Sequence, residues 1–369
     1  MNQVLAQPNT RTISVCGFVP YPLDTTPSQR FRIEQWKPFL ATEGINVDLF
    51  PFADAAMMVR LHQPKHIAGK VAAMSSALLR TAARAIKTRQ YDAVFIHRAM
   101  AIAGPAALER VVRMLGVPVI FDFDDAIYML HTSEANRRFG WLKFPGKTAA
   151  ICGLSAHIVV GNQFLADYAR QFNPCVTVVP TSINTDLYRP QPKANPNGKV
   201  VIGWTGSSTS QTYLEWFAPV LRQLKQTCDF ELRVVSNREP DLPDLEYVWR
   251  PWSPETEIAE IGQFDIGIMP MPDDKWSLGK CALKALQCMA LGQATVATDI
   301  GANREVIQHN VNGMLAGTDE DWLIQLKTLV DDPALRARLG AAGKETVDLH
   351  FSAQRCAAKF AAVVRATVS

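Results

Sequence analysis

The chain has 369 residues, 48% hydrophobic and 20% charged, a balance that fits a globular protein with sizeable cores and excludes a disordered or low-complexity chain. Its seven scattered cysteines never stand as CxxC, which argues for free thiols in a reducing compartment and against a disulfide framework or zinc site. Net charge is only +3, yet residues 1–190 hold 20 Lys/Arg against 13 Asp/Glu while 191–369 hold 18 against 22, so the first half is the one suited to an anionic partner.

The opening residues, MNQVLAQPNTRTISVCGF, lack the basic stretch and long apolar core of a signal peptide, and no apolar run approaches the ~20 residues of a membrane span. A cytoplasmic protein is the expectation. TISVCGF reads as a short buried strand that breaks into the Pro-rich loop VPYPLDTTPSQR. An amphipathic helix, RFRIEQWKPFLATEG, and a second strand, INVDLFPF, follow. The apolar runs YDAVFIH, VPVIFDFDD and HIVVG then alternate with the helical stretches PAALERVVRML and NQFLADYARQF. After a Pro/Asn/Gly-rich linker, YRPQPKANPNGK, the order restarts with VVIGWTGSS and continues through FELRVVS, FDIGIMP and ATVATDI. Strands alternating with helices predict a doubly wound α/β fold. The restart predicts two Rossmann-like domains, residues 1–189 and 190–351, facing a central cleft. Ligands of such sheets bind at the carboxyl ends of the strands, so the strand-end loops are where function is sought.

Two of those loops lie in the second half. In VVIGWTGSSTSQ, Gly206, Ser207 and Ser208 run from a strand into a helix, where small residues and backbone N–H groups suit a phosphate, although neither GK[ST] nor GxGxxG is present. In KWSLGKCALKALQCMALG, Ser277 is the expected N-cap of a helix running to about Leu291, with Gly279 in its first turn. Lys280, Lys284 and Gln287 then fall at i, i+4 and i+7 on one face. Two lysines at the positive end of a helix dipole are unfavourable for the helix and suit a bound dianion.

The stretch FDFDD places Asp122, Asp124 and Asp125 at the end of an apolar strand. Three functional readings are open. Asp122 and Asp124 are spaced as the nucleophile and acid of a haloacid-dehalogenase-type phosphatase, which would also need downstream acids such as those of PDDKW. The cluster also reads as the metal-holding DxD of a sugar transferase. The third reading places Asp124 and Asp125 at a metal-free cleft, bonding sugar hydroxyls or taking a proton from an acceptor, with Asp122 bonding local backbone. His97 and Arg98, ending the strand YDAVFIH, would complete that pocket.

GKCALKALQCMALG, VATDIGANREVI and NGMLA, with GWTGSSTSQTYLEWF before them and FDFDDAIY, IHRAM and TPSQRFR in the first half, resemble the family-4 glycosyltransferases, group 1 type. These are retaining enzymes of GT-B fold that use nucleotide-sugar donors. The resemblance implies a nucleotide-diphosphate sugar held by the second domain, with Gly206, Ser207, Ser208, Gly279, Lys280, Lys284 and Gln287 around it and no metal. It also implies a last helix, residues 352–369, that crosses back to the first domain. The family's Glu-x7-Glu pair is replaced by Gly279 and Gln287. A glutamine can still bond ribose hydroxyls, whereas the glycine cannot bond the sugar. A non-catalytic sugar-nucleotide- or polysaccharide-binding relative therefore stays open beside the enzyme.

Residues 55–91 carry seven Lys/Arg and no Asp/Glu. Within them the helical stretch 66–90 puts Ile67, Val71, Met74, Leu78, Ala82 and Ala85 on one face and Lys70, Arg80, Arg84 and Lys87 opposite, a pattern suited to an anionic membrane surface. That predicts a lipid-linked or glycan acceptor reached at the inner membrane face, with Arg30 and Arg32 binding its phosphate or carboxylate. No aromatic-interleaved basic motif points to nucleic acid.

Overall fold

The structure is a computed structural model that describes residues 11–62, 67–129, 144, 146–194 and 198–369. The first sheet comprises β1 (Ile13–Val19), β2 (Ile45–Pro51), β3 (Ala93–His97), β4 (Val119–Phe123), β5 (His157–Val160) and β6 (Val176–Val178), in the order β2-β1-β3-β4-β5-β6. The second comprises β7 (Val200–Gly206), β8 (Phe230–Ser236), β9 (Val248–Pro251), β10 (Ile266–Met269), β11 (Ala294–Thr298) and β12 (Met314–Ala316), in the order β12-β11-β10-β7-β8-β9. Every pairing is parallel. The predicted pair of Rossmann-like domains is therefore present. Every residue of β3 and β4 is buried, which is why AVFIH and VIFDF read as unbroken apolar runs up to their polar ends.

Sheet order fixes where ligands can enter. The first order switches direction between β1 and β3, the second between β7 and β10. The loops leaving these strands are the crevices open to a ligand. They contain the TPSQR turn, Arg98, the Gly206–Ser208 segment and the chain that leads to Lys280. Register adds a further constraint: His97 lies directly across from Asp122 on the paired ends of β3 and β4.

Helix α1 (Gln35–Thr42) sets Trp36 and Leu40 against the first sheet. On the other face of that sheet lie α2 (Ala55–His62) and α3 (Ile67–Ile86), with Ala85 of α3 packed among Cys16, Val94 and Ile96. The buried residues of α3 are Ala77, Thr81 and Ala85; of the stripe that the helical wheel selects, Ala85 is buried and Met74 and Ala82 half-buried, while Ile67, Val71 and Leu78 stay exposed. Small side chains let the helix approach closely, and Ala77 joins Phe52, Ala53, Met57 and Ala101 in a small core. Ile67, Val71 and Leu79 remain 71%, 58% and 72% exposed, so a basic helix here also shows apolar surface to solvent. Arg84 stacks its guanidinium over Phe50 at 3.7 Å, and Lys70 donates to the Leu61 carbonyl, so these cations are partly committed to the fold.

Helix α4 (Gln163–Ala169) follows β5, and α5 (Gln211–Lys225) follows β7. The single helix expected from Ser277 to Leu291 is broken into α6 (Lys275–Leu278) and α7 (Leu283–Ala290), with Asp274 rather than Ser277 capping α6. Ala282, at φ 54°, turns the chain left-handed between them. The final helix, α8 (Ala353–Val368), leaves the second domain and lies on the first sheet. Phe360 is fully buried there, its ring centroid 5.4 Å from Trp36 and 5.3 Å from Phe95. Because this ring fills a gap among β3, α1 and α8, Phe360→Ala is expected to destabilise the first domain by about 3–5 kcal/mol in chemical denaturation, the cost of a large apolar truncation.

Candidate functional site

Beneath the cleft floor, Asp122 is the hub of a buried charge cluster. Arg32 reaches it from an irregular turn after TPSQ, donating from Nε to both carboxylate oxygens at 3.0 Å and from Nη2 to Oδ1. Nη1 of the same guanidinium donates to the Val179 carbonyl at 2.8 Å. His97 Nδ1 lies 2.7 Å from Asp122 Oδ2, and its Nε2 lies 3.5 Å from Ser28 Oγ. Burial works against the Asp122 charge, but the adjacent Arg32 and His97 outweigh it and hold the carboxyl below its ordinary range. An ionised carboxylate only accepts, so His97 carries its proton on Nδ1. Arg32, His97 and Asp122 are all 0% exposed. Arg32 and His97, placed on the acceptor side by sequence, thus support the floor from inside, and Asp122 bonds these side chains rather than local backbone.

Arg98, the first residue after β3, takes the left-handed backbone at φ 60° and turns toward the cleft. Its Nε and Nη2 donate to Asp124 Oδ1 at 3.0 and 2.7 Å, and Nη2 also reaches Asp125 Oδ2 at 2.7 Å. Burial opposes ionisation of Asp124, yet Arg98 and then His97 and Arg32 keep its carboxyl below the usual range. Asp125 Oδ1 accepts from Lys280 Nζ of the second domain at 2.8 Å. The two domains meet through this ion pair.

On the second-domain side, Lys280 lies in the turn between α6 and α7, with Lys284 at the start of α7. They are not neighbours on one helix face. Burial lowers the Lys280 pKa less than the Asp125 carboxylate raises it, so this ammonium stays charged. Among the described residues Lys284 makes no ion pair: its Nζ rests over the Trp204 ring at 4.9 Å, and burial followed by repulsion from Lys280, against a weaker pull from Asp125, pushes its pKa down to about 7. A cation that is hard to charge, beside a second cation at a strand-end crevice, is an arrangement that an added negative charge stabilises.

Gly206 is needed where it stands, since a Cβ there would lie 2.4 Å from the Trp204 ring and 2.6 Å from Ser210 Oγ. Ser207 Oγ bonds Thr209 Oγ1 at 2.8 Å. Ser208 does not offer its backbone N–H freely, because Asn237 Oδ1 accepts it at 2.7 Å. Gln287 is 3% exposed, and its Nε2 donates to Tyr188 Oη at 3.1 Å and to Glu257 Oε1 at 3.2 Å. Glu257 also accepts from Trp252 Nε1, Tyr188 Oη and Arg30 Nη2 at 3.0, 2.9 and 3.0 Å. Arg30, the other cation assigned to an acceptor, is therefore a bridge between domains. Sequence reading passed over Glu257 and Tyr188, which are joined to each other across 69 residues, with Gln287 30 residues from Glu257. It passed over Asn162 too, although an Asn between the strand HIVVG and the helix QFLADYA is a readable N-cap.

With this geometry in view, residues 199–332 match the family model described as glycosyl transferases group 1. No curated protein matches the chain. Sucrose-phosphate synthase from Thermosynechococcus elongatus superposes with a TM-score of 0.68 at 13% identity, covering 96% of this chain and 98% of that one. The fold is GT-B. A glycosyltransferase from Rickettsia africae ESF-5 gives a TM-score of 0.68 at 14% identity over 98% of this chain and 100% of its own. HepE of Anabaena, solved with UDP and glucose, gives 0.64 at 13% identity over 96% and 100%.

The buried cluster predicts a specific acid response. Asp122, with its pKa lowered in the fold, stabilises the native state above the ordinary carboxylate range near pH 4. That contribution disappears as pH falls through the lower folded-state value. Arg32→Met, which strands the Asp122 charge, is expected to cost about 3–5 kcal/mol at pH 7 by urea denaturation. Part of this loss should be recovered as the medium is acidified and Asp122 takes up a proton.

Proposed function

We propose that the chain is a retaining, metal-independent glycosyltransferase that moves a sugar from a nucleotide-diphosphate donor to a hydroxyl of a glycan or lipid-linked acceptor. The observation that carries this reading is Lys284, a half-buried lysine over the Trp204 ring with no ion pair among the described residues, set beside Lys280 at the strand ends of the domain that matches the group 1 model. The donor's diphosphate would lie against these two lysines and the Gly206–Ser207 turn, with Asp125 giving up Lys280 to it. The C1–phosphate oxygen bond breaks and the C1–acceptor oxygen bond forms on the same face, the acceptor proton passing to the departing diphosphate or to a cleft carboxylate. The task is to stabilise the leaving dianion, and preorganised donors of this kind are worth roughly 3–4 kcal/mol each. Asp124 and Asp125 would bond sugar hydroxyls from the other side of the cleft. Pairing of the three acids with Arg32, Arg98 and Lys280 supports the metal-free reading, since the local field repels a further cation.

The exposed apolar side chains of α2 and α3, with Val59 at 60% and Ile86 at 64%, stand among Arg60, Lys87 and Arg89, all exposed. This surface suits an anionic bilayer at the inner membrane face, where a lipid-linked acceptor would be found. The chain is expected to sediment with vesicles containing an anionic lipid and to stay in solution with zwitterionic ones, and Leu79→Glu with Ile86→Glu should release it. Equal sedimentation of wild type and variant would remove the membrane from the account.

Donor binding has a pH signature. A lysine with a pKa of about 7 in the free protein must take up a proton to hold a dianion, so affinity falls by up to roughly tenfold per pH unit above 7. The expected outcome of calorimetry in two buffers is proton uptake on binding of UDP, GDP, ADP, CDP or dTDP without Mg²⁺, and its loss in Lys284→Ala. Binding of none of these, or binding only with Mg²⁺, would refute the reading. Binding without sugar transfer or donor hydrolysis would favour the non-catalytic relative.

A further inference from the structure

At one place the two domains come together with almost no side chain between their backbones. A Cβ on Gly279 of the second domain would lie 2.7 Å from Ala126 Cβ and 2.9 Å from Ala126 N of the first. A Cβ on Gly161 of the first domain would lie 2.3 Å from Cys281 Sγ of the second. Cys281 Sγ itself donates to the Asp124 carbonyl at 3.1 Å. Two glycines, one from each domain, thus make room for one close contact, and the lysine turn of the second domain is half of it.

Asn162 occupies the centre of this contact and is 0% exposed. Its Oδ1 accepts from Leu165 N at 2.9 Å, capping α4 within the first domain. Its Nδ2 donates to the carbonyls of Leu278 at 3.1 Å and Lys280 at 2.9 Å, both in the second domain. The orientation of the amide is fixed by its partners, since a backbone N–H can only donate and a carbonyl only accept. Both Nδ2 hydrogens are used on the two carbonyls that bracket Gly279. The left-handed Ala282 follows immediately, a conformation that costs a non-glycine residue free energy and persists only where its surroundings enforce it.

We propose that Asn162 is a positioning residue through which the first domain sets the Lys280–Lys284 turn in the conformation that receives the donor diphosphate. The inference rests on the donor reading above and adds a coupling to it. When the domains part, the Leu278 and Lys280 carbonyls lose their donors and the turn is free to relax. Donor affinity is then highest in the closed molecule, and by linkage the donor favours closure by the same factor. Gly279, at the place of a sugar-binding glutamate in the resemblance above, is there because Ala126 leaves no room for a side chain.

The test compares wild type, Asn162→Ser, Gly279→Ala and Lys284→Ala as full chains, by calorimetric titration with UDP, GDP, ADP, CDP and dTDP and by small-angle X-ray scattering. Serine caps a helix as well as asparagine does, so Asn162→Ser keeps the α4 cap and removes only the two cross-domain bonds. The expected result is diphosphate binding roughly tenfold or more weaker in Asn162→Ser, with a larger radius of gyration that returns to the wild-type value at saturating ligand. Gly279→Ala, which perturbs the contact from the other domain without touching the α4 cap, should shift both readouts in the same direction. This second variant decides the matter if Asn162→Ser does not fold. Wild-type affinity in Asn162→Ser, or in Gly279→Ala should only that variant fold, while Lys284→Ala abolishes binding, would overturn the positioning role and leave the donor site standing. Absence of diphosphate binding in wild type would take down both.

Discussion

Neutralisation of charge in a nearly dry place is the constraint on which the cleft depends. Asp122 cannot stay ionised inside the first domain without Arg32 and His97, and Asp124 relies on Arg98 in the same way. Burying such pairs is costly unless every donor and acceptor is used, which is why Arg32 divides its guanidinium between Asp122 and the Val179 carbonyl. The ends of β3 and β4 are thereby stiffened. Arg98 and Asp125 can then be presented to the second domain in one arrangement rather than several.

The second domain answers with a different economy of charge. Lys280 is matched by Asp125, whereas Lys284 rests on the Trp204 ring with its charge disfavoured. One of the two cations is thus compensated by a carboxylate and the other only by an aromatic ring. A diphosphate entering the cleft would satisfy both, and in doing so compete with Asp125. On the proposed reading, contact between the domains and occupancy of the donor site would be parts of one equilibrium. Glu257 gives a second link between the domains, since Arg30 of the first domain joins Tyr188 and Gln287 on its carboxylate.

Much of the architecture was legible in the sequence because strands covered on both faces leave apolar runs such as AVFIH and VIFDF, and the linker and restart separate two such series. The identity of the crevices was legible for the same reason, as polar residues gather where the runs stop. What could not be read were outcomes decided by distant partners. The helical pattern through SLGKCALKAL is real, but it yields to Asn162 and Ala126, more than 110 residues earlier. Arg32 looked like a surface cation until Asp122, 90 residues on, claimed it. On α3 the periodicity turned Ile67, Val71 and Leu78 inward along with Ala85, while the close approach is made by Ala77, Thr81 and Ala85, Ala77 in the small core around Phe52. Ser208 shows the reverse case, a loop residue with an apparently free N–H that Asn237 takes.

The most direct test is a structure of the protein soaked with the nucleoside diphosphate that binds it, in the absence of divalent metal. The account predicts the two phosphates between Lys280 and Lys284, beside Gly206 and Ser207, with the Asp125 carboxylate moved off Lys280. Phosphates found elsewhere, or held only through a metal ion on Asp124 and Asp125, would contradict it.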